Sequence, residues 1–350
     1  MKSFIDLDLT LGSQPRDLGP VLSRIDVGKG KEQLFEDQRP EVLTRLAETA
    51  RIASIEASNA IEGVVVDGDR AVLIADGSQR YRNRNEREFA GYRDAIDLLM
   101  RQGIEEELSV PFVLHLHRLL FRYTDGQGGK LKKDQNLIVS YAGGGREVIF
   151  APVSPEETEF SLTELLARYE SARAAGETHP IVLVGALVLD FLAIHPVADG
   201  NGRLARLLTT HELLRAGYGI ARYVSIENRI YESKNTYYQA LFDSQREWHG
   251  SDHDAWPWIS YLARILEEAY VDFEREVLAE DSSGSKQERV RDYVLRQAPE
   301  TFRRREIERA LPGVSVATIR LVFAGLREEG RIEAEGSGRA AVWRRVARPA

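Results

Sequence analysis

The chain contains no cysteine, which excludes disulfide cross-links and thiolate-ligated zinc and suits a reducing compartment. It also lacks an apolar run long enough to span a bilayer. The richest stretch, Ile181 to Ile194, is broken by Gly185 and Asp190 and falls short of the roughly 20 residues that a transmembrane helix needs. The opening Met-Lys-Ser-Phe-Ile-Asp-Leu-Asp-Leu turns acidic too early for a secretory signal. There is no internal repeat and no low-complexity tract. These absences lead us to expect a cytoplasmic protein with no membrane association.

What remains is ordinary globular material: 350 residues, 43% of them hydrophobic, enough for the cores of two or three domains. The net charge of −8 is unevenly shared, because residues 285–350 hold 15 Lys plus Arg against 9 Asp plus Glu, a surplus of +6 that leaves −14 for the rest. An acidic body joined to a basic module with its own partner is expected.

Apolar residues recur at helical spacing over 40–60, where Val42, Leu43, Leu46, Ala47 and Ala50 share a face and Gly63 ends the helix. The same pattern predicts helices over 85–100, 111–121, 156–175, 181–194, 202–216, 231–245 and 256–278. Residues 1–39 show no clear period and are expected to form an N-terminal arm. A helical region then covers 40–110 and a mostly helical core 111–280. Within that core, the β-rich runs 136–141 and 147–150 flank a glycine turn and predict a hairpin.

Polar Gly/Ser composition marks a linker over 281–286. Beyond it, helices over 287–296, 303–310 and 315–329, the last capped by Ser315, precede a hairpin over 331–346. This order over 287–350 resembles a winged-helix domain, whose partner would be DNA or protein.

The chemistry concentrates in His195-Pro196-Val197-Ala198-Asp199-Gly200-Asn201-Gly202-Arg203-Leu204-Ala205-Arg206. Pro196 stops a buried helix directly after His195. A second helix starts near Gly202 and puts Arg203 and Arg206, three residues apart, on one face. The glycines leave bare N–H groups at that helix start, where anions bind well. A candidate base thus faces an anion cradle across one turn.

This segment resembles the Fic family signature, His-x-Phe-x-(Asp or Glu)-Gly-Asn-Gly-Arg-x-x-Arg, with Val197 standing in the Phe position. The resemblance covers roughly residues 40–280. It implies a mainly α fold, a Fic-type helical bundle with a small hairpin flap (Ile149, Phe150, Pro152, Val153). It further implies a protein adenylyltransferase that moves AMP from ATP to a Ser, Thr or Tyr hydroxyl of a target protein. On that reading His195 is the general base, Asp199 holds Mg²⁺, and Gly200, Asn201 and Gly202 cradle phosphates. Arg203 and Arg206 grip the β- and γ-phosphates, and Tyr237, Tyr238 and Gln245 line the adenine pocket.

Upstream, Ser58-Asn59-Ala60-Ile61-Glu62-Gly63 resembles the family's inhibitory motif, (Ser or Thr)-x-x-x-Glu-(Gly or Asn). Ser58, Glu62 and Gly63 are its matching residues. It implies that Glu62 pairs with Arg206 and misaligns ATP, and homodimers are common among such self-restrained proteins. Removal of AMP from targets, a nucleotide-sensing regulator that binds DNA through 287–350, and a different transfer chemistry such as phosphorylation are the competing expectations.

Overall fold

The computed structural model describes residues 2–4, 14–78, 80–101, 106–126, 128–140, 147–282, 286–311, 314–335 and 341–346. The chain divides into two units, Met1–Glu274 and Arg275–Ala350. In chain order the α-helices and strands of the larger unit are α1 (Leu18–Gln38), α2 (Pro40–Ile61), α3 (Gly68–Ala75), α4 (Arg84–Met100), α5 (Val110–Leu120), β1 (Ile138–Ser140), β2 (Glu147–Phe150), α6 (Pro155–Ala175), α7 (Pro180–Ile194), α8 (Asn201–Arg215), α9 (Ile226–Glu232), α10 (Lys234–Gln245) and the greater part of α11 (Trp256–Ser282), whose last residues belong to the smaller unit.

Helix α7 is the centre of this unit: every residue from Ile181 to Ile194 is buried, as an all-round apolar helix requires. It packs between α6 and α8. Gly185 lets the helix approach α11, where the Trp258 indole N–H donates to the Gly185 carbonyl at 2.9 Å. Asp190 is fully buried, and its carboxylate accepts from the Ser3 hydroxyl and the Trp248 indole, both at 2.7 Å. Those partners offset the cost of burying its charge. Helix α2 packs on α4 and α9, which brings its C-terminal end to the start of α8.

The expected hairpin is present, with β1 and β2 antiparallel and Val139 opposite Val148; its glycine turn lies outside the described residues. Within the N-terminal arm expected over 1–39, residues 18–38 form the long helix α1, which the sequence pattern did not announce. Its apolar period stops at Ile25, and from there the inward face is carried by Gly28 and Glu32. A Cβ at Gly28 would collide with the Tyr270 ring. Helix α3 is likewise unforeseen, and the single helix expected over 231–245 starts earlier and divides at Ser233 into α9 and α10.

Glu32 accepts from the Tyr270 hydroxyl at 2.8 Å. Burial pushes its carboxyl up to about 7, against the opposing effect of that hydrogen bond. A folded-state pKa above the unfolded value means that its contribution to stability is fully present below about 4.5 and is lost as pH rises towards 7. Glu32→Gln is therefore expected to stabilise the chain at pH 8 by about 1–3 kcal/mol and to do nothing near pH 4. Urea unfolding at the two pH values checks this, and an equal effect at both would refute the burial argument.

In the smaller unit, α12 (Lys286–Asp292) runs into a π-helical turn, Tyr293–Gln297. Then come β3 (Thr301–Arg303), α13 (Arg304–Ala310), α14 (Val316–Glu328), β4 (Ile332–Glu335) and β5 (Val342–Arg345). The antiparallel sheet has the order β3-β5-β4, and β3 was not foreseen. Val290, Val294, Phe302, Ile307, Ile319, Phe323, Leu326 and Ile332 make its core. Ser315 caps α14 as expected, its hydroxyl accepting from the Thr318 N–H at 3.1 Å. Parts of the linker expected over 281–286 and of the last hairpin turn lie outside the described residues.

Candidate active site

The site lies at the join of α7 and α8. His195 caps α7 in the left-handed region, φ 53° and ψ 61°, a conformation costing a non-glycine residue about 1–2 kcal/mol. Pro196 makes continuation of the helix impossible, so the chain must turn here. The His195 Nδ1–H donates to the Leu192 carbonyl at 3.1 Å, which leaves Nε2 as the lone-pair nitrogen. Burial, with Lys132 adding to it, lowers the imidazole to about 4. The ring is therefore neutral at any pH well above 4.

The turn is held from several sides. Val197 is fully buried, and the Asn201 side chain clasps its peptide, accepting from the Val197 N–H at 3.0 Å and donating to its carbonyl at 2.7 Å. The side-chain amide of Asn201 is thus spent on closing the loop, which leaves its backbone N–H as the group that could meet a phosphate. This clasp rigidifies a loop whose Val is smaller than the Phe of the signature. Gly200 sits at φ 87°, where a Cβ is strongly disfavoured.

Helix α8 then presents its first N–H groups, an anion site by construction. What stands over it is Glu62. A Cβ at Gly202 would collide with Glu62 Oε1, and Arg206 donates to that same oxygen at 2.8 Å. Ser58 holds the rest of the guanidinium, its Oγ accepting from Nε at 2.8 Å and its carbonyl from Nη2 at 2.9 Å. Gly63, at φ 79°, ends α2 and releases Glu62 toward α8. Burial, the largest single influence, would raise the Glu62 carboxyl; the charge and hydrogen bond of Arg206, with the charges of Arg203 and Lys234, together outweigh it and hold the group below its ordinary range. Two of the three residues expected from the upstream motif, Ser58 and Glu62, therefore converge on Arg206, and Gly63 ends the helix that carries them.

Residues 107–213 match the Fic/DOC family. This segment is a Fic domain. A protein adenylyltransferase Fic from Drosophila ananassae is 27% identical over 174 residues, 49% of this chain and 29% of that relative. The chain thus spans under a third of the length of that curated relative. Among solved structures, a Fic family protein from Desulfovibrio desulfuricans G20 superposes with a TM-score of 0.67 at 21% identity, covering 97% of this chain and 98% of that one. Fic-1 residues 134–508 from C. elegans give 0.59 at 21% identity, over 76% and 74% of the two chains. The fold of the chain is a Fic-type helical fold.

Around the Fic loop the structure adds residues that the sequence left unmarked. Lys132 donates to the Ile194 carbonyl at 3.0 Å, and Asn136 to the Val197 carbonyl at 2.9 Å. His117 Nδ1 accepts from the Gly129 N–H at 3.0 Å, so its Nε2–H donates to the Asp199 carbonyl at 3.2 Å. Each comes from 60 or more residues upstream, without a local pattern to mark it.

Of the residues expected to form a flap, Ile149 is exposed and Pro152 and Val153 are buried. Phe150 stacks on His249 at 5.4 Å. A cavity of about 260 Å³ opens there, lined by Ile149, Phe150, Phe242, Gln245 and Trp248 among others. Of the tyrosine pair, Tyr237 is buried in an aromatic cluster with Trp258 and Tyr261. It is a core residue, which corrects its expected place in an adenine pocket; only Tyr238 keeps an exposed ring.

The Asp199 side chain is 63% exposed, with Arg84 Nη2 at 3.8 Å. Among the described residues no group of three or more His, Cys, Asp or Glu side chains converges. A single exposed carboxylate still fits Mg²⁺, which takes one or two protein oxygens and completes its shell with water and substrate phosphates. Arg203 is 2% exposed and its Nε has no partner, an orphaned buried donor that an anion would satisfy. Among the described residues, no helix is long and apolar enough to cross a membrane.

Proposed function

We propose that this chain is a protein adenylyltransferase that transfers AMP from ATP to a hydroxyl side chain of a target protein and restrains itself through Glu62. The observation that carries the reading is the Glu62 carboxylate standing over the start of α8, against Gly202 and bonded to Arg206. An internal anion occupies the position where a polyphosphate would lie.

With ATP in place, the hydroxyl oxygen attacks the α-phosphorus and the bond to the bridging oxygen breaks. Pyrophosphate leaves and the hydroxyl proton passes to His195 Nε2. The Leu192 carbonyl fixes the tautomer that makes this transfer feasible. Gly202 and its neighbouring N–H groups meet phosphate oxygens, and Arg203 and Arg206 neutralise the departing pyrophosphate. Asp199 would hold Mg²⁺, which supplies charge neutralisation on the phosphates. Tyr238 and Gln245 border the adenine side, and the hairpin orients the target segment. Catalysis on this scheme is positioning and charge stabilisation.

The test is incubation of the chain and its Glu62→Gly variant with Mg²⁺ and ATP labelled separately at the α- and γ-phosphates. Transfer of α-label alone supports the proposal. Transfer of γ-label makes the chain a kinase instead, and loss of AMP from a pre-modified target makes it a hydrolase.

A second reading concerns the smaller unit, whose sheet order and helix sequence suit a winged helix. Arg304, Arg320 and Arg327 line a cavity of about 720 Å³ with Phe323 and Trp343. A DNA partner there predicts that the full chain shifts duplex DNA at low salt, that the shift falls steeply with salt, and that Arg320→Ala weakens it. No shift at low salt removes DNA as the partner.

A further inference from the structure

Two charged residues of α4 touch the Fic loop and have no part in the scheme above. Glu88 is 3% exposed. Its Oε2 accepts from Arg203 Nη1 at 2.7 Å and its Oε1 from Arg84 Nε at 2.6 Å. Arg84 spans from there toward Asp199, ending 3.8 Å from Oδ2. One carboxylate therefore joins the first arginine of the loop to the exposed arginine that guards the loop's aspartate.

We propose that Glu88 is the positioning residue that aims Arg203 at the β-phosphate of a bound nucleotide, a role that rests on the nucleotide-binding reading above. Arg203 is almost wholly removed from water, so solvent cannot orient its guanidinium. Phe121 lies beneath it, 5.2 Å from ring centroid to Cζ, and fixes the plane. Glu88 fixes rotation within that plane by taking one terminal nitrogen. Nε remains buried and unpaired, so the guanidinium is only partly satisfied by the protein. A planar fork held at one end and unsatisfied elsewhere is pre-organised for a phosphate oxygen. A buried carboxylate that merely balanced charge would need no particular edge of the guanidinium. Arg84 supplies the second cation that Glu88 needs once Arg203 turns part of its charge to the ligand, and it links that arrangement to Asp199.

The experiment compares ADP and AMP binding to the full chain by titration calorimetry in Mg²⁺, because only ADP reaches Arg203 through a β-phosphate. Glu88→Gln is expected to weaken ADP about tenfold or more while leaving AMP within about twofold. Arg203→Ala should cause the same selective loss, and the double variant should lose no more than either single one. Glu88→Asp, which keeps the charge on a shorter stem, should recover part of the ADP affinity and guards against a Gln variant that fails to fold. Equal loss for ADP and AMP, unchanged ADP affinity, or tighter ADP binding on Glu88→Gln each overturns the positioning role. The last would make Glu88 a restraint on Arg203. Failure of the unsubstituted chain and of Glu62→Gly to bind either nucleotide would overturn the nucleotide reading itself.

Discussion

Glu62→Gly is expected to raise AMP transfer, to the chain itself and to any target, by roughly 5- to 150-fold, the span of an ordinary coupling free energy. The substitution removes the carboxylate that stands over Gly202 and frees one N–H of Arg206 Nη2, the other still held by the Ser58 carbonyl. Arg206 loses its paired carboxylate but not its other hydrogen bonds, because Ser58 still binds it through both its hydroxyl and its carbonyl. Glycine also suits the end of α2, where the following Gly63 already turns left-handed. The folded state should therefore survive, with a thermal midpoint within a few degrees of the original. Intact mass after incubation with Mg²⁺ and ATP reads the result. Equal labelling of the two forms would show that the Glu62–Arg206 pair is structural and not a restraint.

His195→Ala in the Glu62→Gly background should remove transfer by about 10²- to 10⁴-fold, the range of a positioned general base, while ADP binding persists. The reason lies in the geometry: among the described residues the His195 ring bonds backward, from Nδ1 to the Leu192 carbonyl, which leaves Nε2 as an acceptor. A companion expectation follows for pH. On the proposed scheme the active form is the neutral ring, and burial lowers it to about 4 in the free protein. The acid limb of kcat/KM should then fall near pH 4 and not near 6.5, since that parameter reports free-enzyme groups. Unaltered transfer in His195→Ala would move the base to another group; an acid limb near 6.5 would mean that the ring is more hydrated than its surroundings here imply.

How much of this was legible in the residues depends on whether the cause was local. The turn at His195-Pro196, the glycines at 200 and 202 and the paired arginines announce themselves, because backbone restrictions and i, i+3 spacing act within a few residues. The upstream motif was legible for the same reason, since Ser58 and Glu62 lie four apart on one face and Gly63 ends the helix. Lys132, Asn136, His117 and Glu88 were not, as each acts across 60 or more residues and looks like any surface residue in the chain. Tyr237 and Tyr238 are neighbours that no periodicity can sort without knowing what packs over α10. Helix α1 was missed because Gly28 and a buried Glu32 stand where the apolar period should continue, so the pattern reads as polar while the face is packed.

One consequence of the Asn201 clasp reaches into the chemical ageing of the protein. Asn-Gly is the dipeptide most prone to succinimide closure, because an unhindered glycine nitrogen can attack the asparagine amide. Here both ends of that amide are tied to Val197, and the attacking nitrogen of Gly202 lies in the first turn of α8, held by helical geometry away from the carbonyl it must reach. Deamidation at Asn201 is thereby confined to molecules whose loop has opened. Each such event would leave an aspartate unable to donate to the Val197 carbonyl, so an opened loop, once converted, does not fully close again.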